Sequence, residues 1–286
     1  MSADLIRGVA ERLMESVRQH TPRALLPLAV RVRFHLAWSR GGVRDNAHRQ
    51  MEFLLGRTRP GADLTGAARG YVKEMIWRGE VRWHPDLVTS RRVEGIEHLI
   101  DARGLGRGVI LSFMHHGFYD SAFPAIALAG APLHMLMYPY MSRDDAPRWI
   151  KQHVRVNSIG GAIPTSTEIG PQGILDLLAG EEIVAIASDV PGRTPVTFAG
   201  RRLLGSFGAA RIALQAGSPL VLMTSDRDQR GPHVRLHEAL HPGDFDSPQS
   251  LLEEILSRHE TQVLAWPEAT DLPLSRWGSP EPVESR

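Results

Sequence analysis

The chain contains no cysteine. This removes a thiol nucleophile, a disulfide framework and a thiolate zinc site together. Lysine is nearly absent, since Lys73 and Lys151 are the only two among 33 basic residues. Positive charge is therefore carried by guanidinium, which suits phosphate and other anionic groups and equally reflects a compositional bias. Neither sign of charge dominates. The net charge of +1 argues against nucleic acid as the main partner. Long apolar runs are missing as well: the most hydrophobic early segment, residues 24–38, is interrupted by Pro27, Arg31, Arg33 and His35. No transmembrane helix is expected from it. Met1-Ser-Ala-Asp-Leu-Ile lacks the basic start and apolar run of a secretory signal.

What remains is an ordinary globular composition, 42% hydrophobic and 23% charged over 286 residues, enough to bury a real core. One large α/β domain with a helical extension fits this length better than two catalytic domains. Leu5, Ile6, Val9, Leu13 and Val17 recur at helical spacing and Thr21-Pro22 stops the run. That first helix suits either packing on the main domain or contact with an anionic membrane surface. Residues 24–38, 45–56 and 62–80 read as further helices, so 1–90 is expected to be a helical section. From Val93 short apolar runs alternate with helical stretches, the pattern of a mixed sheet flanked by helices. The α/β domain is placed at 91–278 and a flexible tail at 279–286. Expected strands are 109–114, 133–137, 162–164, 183–188, 196–198 and 220–224. Expected helices are 121–129, 145–157, 168–179, 207–216 and 248–265.

The stretch that orders the rest is Gly108-Val-Ile-Leu-Ser-Phe-Met114 followed by His115-His116-Gly117-Phe118-Tyr119-Asp120. A buried strand ends in an imidazole, and a turn leads into a helix whose first residues include Asp120. The turn is expected to bring that carboxylate back onto His115 and fix its tautomer. Spacing alone also fits a helix-capping histidine, and His241-Pro-Gly-Asp-Phe-Asp246 repeats the gap with no strand before it. A second stretch, Ile183-Val-Ala-Ile-Ala-Ser188-Asp189-Val-Pro-Gly192-Arg193, ends a strand in an acid and presents an arginine, with Gly200-Arg201 in the next turn. If its strand neighbours that of His115, Asp189 and Arg193 face one crevice, where open α/β sheets bind ligands. A surface ion pair is the plainer reading. Arg155 to Gly161 adds a Gly-rich turn to the same edge.

In order and spacing, these blocks resemble the glycerolipid acyltransferase superfamily with its His-x-x-x-x-Asp motif. Within it the chain is most similar to the lauroyl/myristoyl acyltransferases of lipid A and related mannoside acyltransferases. The resemblance runs from Val93 to Trp266 and includes Gly160-Gly161-Ala-Ile163-Pro164, Phe198-Ala-Gly200 and Ala216-Gly217-Ser-Pro219. It implies transfer of a fatty acyl group from an acyl-CoA or acyl carrier protein thioester to a hydroxyl or amine. His115 would be the general base, with Asp120 orienting it, and Arg193, Asp189, Arg155, Gly117 and Arg201 would bind substrate. No cofactor and no metal are implied. Oxyanion donors would be either backbone N–H groups after His115 or Arg193. Lipid A enzymes of this kind carry Glu at the position of Asp120, an N-terminal membrane helix and a Trp-x-His-Arg segment where this chain has Trp266-Pro-Glu-Ala. The expected acceptor is therefore a glycolipid or a sugar or amine of a secondary metabolite. The expected location is the cytoplasm, with peripheral contact at the inner membrane face.

Three other classes compete with this reading. A serine hydrolase is disfavoured because no Gly-x-Ser-x-Gly elbow occurs, and Gly205-Ser206-Phe207-Gly208 is expected to lack a preceding strand. A metal enzyme is disfavoured although 13 histidines are present, because His115 and His116 should diverge and no His-Glu-x-x-His occurs. A non-catalytic lipid-binding protein of the same fold, or a thioester hydrolase, is the alternative.

Overall fold

The structure is a computed structural model and describes residues 13–277. Its centre is a seven-stranded mixed sheet in the order β1-β9-β8-β2-β5-β3-β4. The strands are β1 (Val93–Glu94), β2 (Val109–Phe113), β3 (His134–Met137), β4 (Ile163–Ser166), β5 (Ile183–Ala187), β8 (Leu220–Asp228) and β9 (Gly231–Leu236). β6 (Pro191–Phe198) and β7 (Arg201–Gly205) form a separate antiparallel hairpin. β8, β2, β5, β3 and β4 run parallel, and β9 turns back against β8. This is the α/β class expected from the alternating pattern.

Every residue of β2 is buried, as a parallel strand covered on both faces requires. Its side chains alternate between two cores. Ile110, with Val184 and Leu222 of the neighbouring strands, faces a core shared with Phe34, Met51, Tyr71, Phe198 and Leu251. Val109, Leu111 and Phe113 face the other, with Phe123, Ile126 and Met135. The helical section (Leu26–Trp38, Gly41–Leu55 and Leu64–Val81) therefore packs on one face of the sheet, sharing that core with the helix Pro248–Ala265. The helices Ile96–Arg103 and Tyr119–Leu128 cover the other face. Among the described residues no helix is long and apolar enough to cross a membrane. Leu5, Ile6 and Val9 of the expected first helix, and the tail from Ser279, lie outside the described residues, while residues 13–20 are helical.

One segment, the hairpin, departs from expectation. The strand expected at 196–198 is the end of the longer β6, whose hairpin lifts Arg193 off the main sheet. The hairpin also supplies β7 directly before Ser206, so the strand expected to be missing there exists. Ser206 Oγ nonetheless accepts a hydrogen bond from Gly208 N, and among the described residues no imidazole joins it. Residues 267–277, placed within the α/β domain, are anchored at their end by Trp277, which is fully buried and stacks on Phe198 at 4.4 Å between ring centroids.

Candidate active site

Parallel pairing of β2 with β5 matches Val109 with Ile183 and Phe113 with Ala187. Continuing that register by two residues on each strand brings His115 beside Asp189. The imidazole Nδ1 lies 2.8 Å from Asp189 Oδ1, and the His115 backbone N–H donates to Oδ2 at 2.9 Å. Asp189 is 2% exposed and His115 keeps an exposed edge. A buried carboxylate gripping Nδ1 fixes the tautomer and leaves Nε2 for a substrate proton.

The carboxylate on His115 is thus Asp189 and not Asp120, which corrects the expected pairing. Asp120 sits in the first turn of the helix Tyr119–Leu128, where helical geometry directs it to the end of the helix Leu64–Val81. There Arg82 contacts Asp120 Oδ2 through both Nε and Nη2 at 2.8 Å, and His153 Nδ1 lies 3.8 Å from the same oxygen. Burial alone would raise its pKa; the Arg82 guanidinium, then His153 and Arg78, hold the carboxyl well below the usual range. Asp120 is ionised and committed to that pair.

The turn between them is held by its own backbone. His116 N bonds to Met114 O, Gly117 N to Ala269 O at 2.9 Å and Phe118 N to Ser225 Oγ at 3.0 Å. These amides, with that of His115, are occupied, so the expected backbone oxyanion donors are not available. Gly117 has φ +62°, and a Cβ there would fall 2.1 Å from that of Ser225, so any side chain is excluded. Its place is to let the turn pass, rather than to touch substrate. His116 points away from His115 and pairs Nε2 with Trp266 O. Complete burial lowers its pKa to about 4.

Residues 267–277 complete the rim. Asp271 N donates to His115 O at 2.7 Å, and Thr270 bridges to His116. Arg276 Nε lies 3.8 Å from Asp189 Oδ2, and its Nη2 holds Asp271 Oδ2 at 2.5 Å. Arg78 takes the other Asp271 oxygen at 3.1 Å and lies over the ring of Tyr119. Two carboxylates and two guanidiniums balance, so a proton taken by His115 gives the rim its net charge. Tyr119 packs edge-on against His115 at 4.8 Å, and its hydroxyl stays protonated because burial raises its pKa well above the ordinary value.

His115, Tyr119 and His153 stand in the wall of a cavity of about 180 Å³ that is otherwise mostly apolar, with Phe113, Phe123, Met135, Met137, Met141 and Ile186. Every lining residue falls between 113 and 190. The cavity lies on the face of the sheet away from the N-terminal helices, beside the helix Tyr119–Leu128. Met side chains there are flexible and fill irregular space, which suits a slender apolar guest.

The remaining candidates do not converge on the dyad. Arg193 is exposed on the hairpin and makes no hydrogen bond or ion pair with His115 or Asp189. Arg155 is exposed on the helix Arg148–Asn157, on another face from His153 and Asn157, which line the cavity one turn apart. Arg201 donates to the carbonyls of Phe53 and Glu52 at the end of Gly41–Leu55 and stacks on Phe53, a structural contact between hairpin and helix. Asp189, read as a substrate ligand, is instead the partner of the imidazole. Arg78, Arg82, His153, Asp271 and Arg276 were not singled out by sequence. Only the one-turn spacing of His153 and Asn157 carried a signal.

Glu94, Asp228 and His233 bring ligand-type atoms within 4.8 Å of one another, but Arg92 and Arg230 pair with both carboxylates. No family model matches the chain, and no curated protein matches it. Among solved structures the chain is similar to the 1-acyl-sn-glycerophosphate (LPA) acyltransferase PlsC from Thermotoga maritima. The TM-score is 0.41 and the identity 14%, covering 83% of this chain and 97% of that chain.

Proposed function

We propose that the protein transfers an acyl group from a thioester donor, carried by coenzyme A or an acyl carrier protein, to a hydroxyl or amine. The observation that carries this reading is the placement of an Asp189-oriented imidazole in the wall of an apolar cavity. The acyl chain would lie along Phe123, Met135 and Met137, with its carbonyl at His115. Nε2 takes the proton of the acceptor as its oxygen or nitrogen bonds to the carbonyl carbon. The imidazolium is stabilised by Asp189, and the C–S bond breaks as the tetrahedral intermediate collapses. The proton held on Nε2 passes to the departing sulfur, which leaves as a thiol. Neither a covalent enzyme intermediate nor a metal is invoked. Because Asp189 and Asp271 already offset Arg276 and Arg78, the imidazolium is the charge that answers the oxyanion.

A glycolipid or a sugar or amine of a secondary metabolite is the proposed acceptor, reached from the cytoplasmic side of a membrane. The test is release of free thiol from a series of acyl-CoA thioesters, with and without candidate acceptors, by the wild type, His115→Ala and Asp189→Asn. Acceptor-stimulated release that vanishes in His115→Ala is the expected result. Release that ignores acceptor would make the protein a hydrolase, and equal release by wild type and His115→Ala would take the imidazole out of the mechanism.

A further inference from the structure

On the outer side of the turn that carries His115 lies a second opening, of about 530 Å³, lined by Trp77, Val81 and Leu87 on one wall and by Ser90, Arg91, Arg92 and Arg230 on the other. Its size is in the range that takes a small-molecule ligand. One apolar wall and one cationic wall describe an amphiphile carrying negative charge.

The cationic wall is not neutral. Arg92 faces Asp228 at 2.6 Å and Glu94 at 3.4 Å, Arg230 faces the same two carboxylates, and Arg235 faces Asp226 at 2.6 Å. These three arginines and three acids offset one another. Arg91 has no carboxylate partner among the described residues. Its Nε donates to Ser121 Oγ at 3.2 Å, Nη1 donates to Pro232 O at 3.3 Å, and the guanidinium stacks on Phe118 at 4.0 Å. Of its five N–H donors, three remain. Burial alone lowers its pKa, to about 10, so the group is still a cation at neutral pH. A half-buried guanidinium held only by neutral oxygens has donors left over for an anion.

We propose that this groove binds a phosphate group of an amphiphilic ligand, with Arg91 as the central ligand, Ser90 and Arg230 at the rim, and the apolar part of the ligand on Trp77, Val81 and Leu87. The guanidinium fork matches phosphate geometry. The phosphate could belong to a nucleotide-bearing carrier such as coenzyme A or to an anionic lipid headgroup. The site stands apart from the acyl-transfer reading, because it rests on none of the residues of the dyad.

The test is titration calorimetry of the full-length protein with coenzyme A, with inorganic phosphate and with vesicles of phosphatidic acid in phosphatidylcholine, pure phosphatidylcholine serving as control. Binding of coenzyme A or of the phosphatidic acid vesicles is expected, and which of them binds identifies the source of the phosphate. It should weaken about ten- to hundredfold in Arg91→Gln, as loss of charge-assisted hydrogen bonds predicts. His115→Ala should bind as wild type does, whether or not the protein proves to be a transferase. Since Arg91→Gln also removes the donors to Ser121 and Pro232, Arg230→Glu provides a second variant that reverses charge at an exposed rim position without disturbing the interior. No binding of any of the three probes, or binding that neither variant weakens, would overturn the site.

Discussion

Asp189 and Asp120 are both buried carboxylates close to the candidate active site, and they arrive there by different routes. Asp189 is delivered by the register of two adjacent parallel strands: once Phe113 pairs with Ala187, the residue two places further on each strand has a fixed neighbour. Asp120 is delivered by a turn whose path depends on Gly117, Ser225 and Ala269, and its helix then points it toward Arg82. Strand register is the stronger determinant of what meets the imidazole. Distance along the chain is the weaker one, since the His115 partner lies 74 residues away.

Substitutions separate the two carboxylates. The largest effect is expected at their common reference, where His115→Ala should lower acceptor-dependent thiol release by about two to four orders of magnitude. Asp189→Asn should follow, with a lower kcat and a changed pH–rate profile, because the amide cannot stabilise the imidazolium; a profile identical to wild type would remove Asp189 from the dyad. For Asp120→Asn the loss should instead be in stability, about 1–3 kcal/mol in denaturant unfolding, because the half-buried Arg82 keeps a neutral acceptor but loses its charged partner. If Asp120→Asn unfolds like wild type yet loses activity as fully as His115→Ala, the contrast drawn between the carboxylates fails.

The interior histidines give a pH test. Burial holds His116 at about 4 and His259 at about 3 in the fold, against 6.5 when exposed. The unfolded chain binds the additional protons, so this stability is fully present above pH 6.5 and declines as the pH falls toward those values. Each imidazole should remove on the order of 2 kcal/mol between pH 6.5 and pH 5. Unfolding free energies measured at the two pH values, with His259→Gln showing a shallower decline, check the sign. The smallest effects belong to the hairpin. Arg201→Ala should cost about 1–2 kcal/mol through its two lost carbonyl contacts, and Arg193→Ala should leave turnover unchanged. A marked loss of turnover in Arg193→Ala would return the hairpin to the site.

The strand run before His115 was legible because an unbroken apolar segment closed by a polar turn has few other readings, and Asp189 stood out for the same reason. Helix Pro248–Ala265 matches its expected bounds because Ser247 caps it and Pro267 follows it. The pairing was not legible, because register between strands 74 residues apart is set by the two cores together. Arg193 was misplaced because a Pro-Gly turn after a strand looks the same whether it folds over the sheet or opens a hairpin. Asp271 and Arg276 were hidden because their segment has little hydrophobic signal apart from Trp277, which anchors it on Phe198.

That anchor has a consequence for synthesis. Asp271 bonds the backbone of His115, and Arg276 reaches Asp189. The sheet can form before either residue has been made, but the balanced rim cannot. At about 5–20 residues per second, the ribosome reaches Arg276 on the order of ten to thirty seconds after His115. In the later part of that interval, once Asp189 has been made, a nascent chain would hold its imidazole and Asp189 without the charges that offset them. Reactivity is thus postponed until the segment that carries Asp271 and Arg276 has been made.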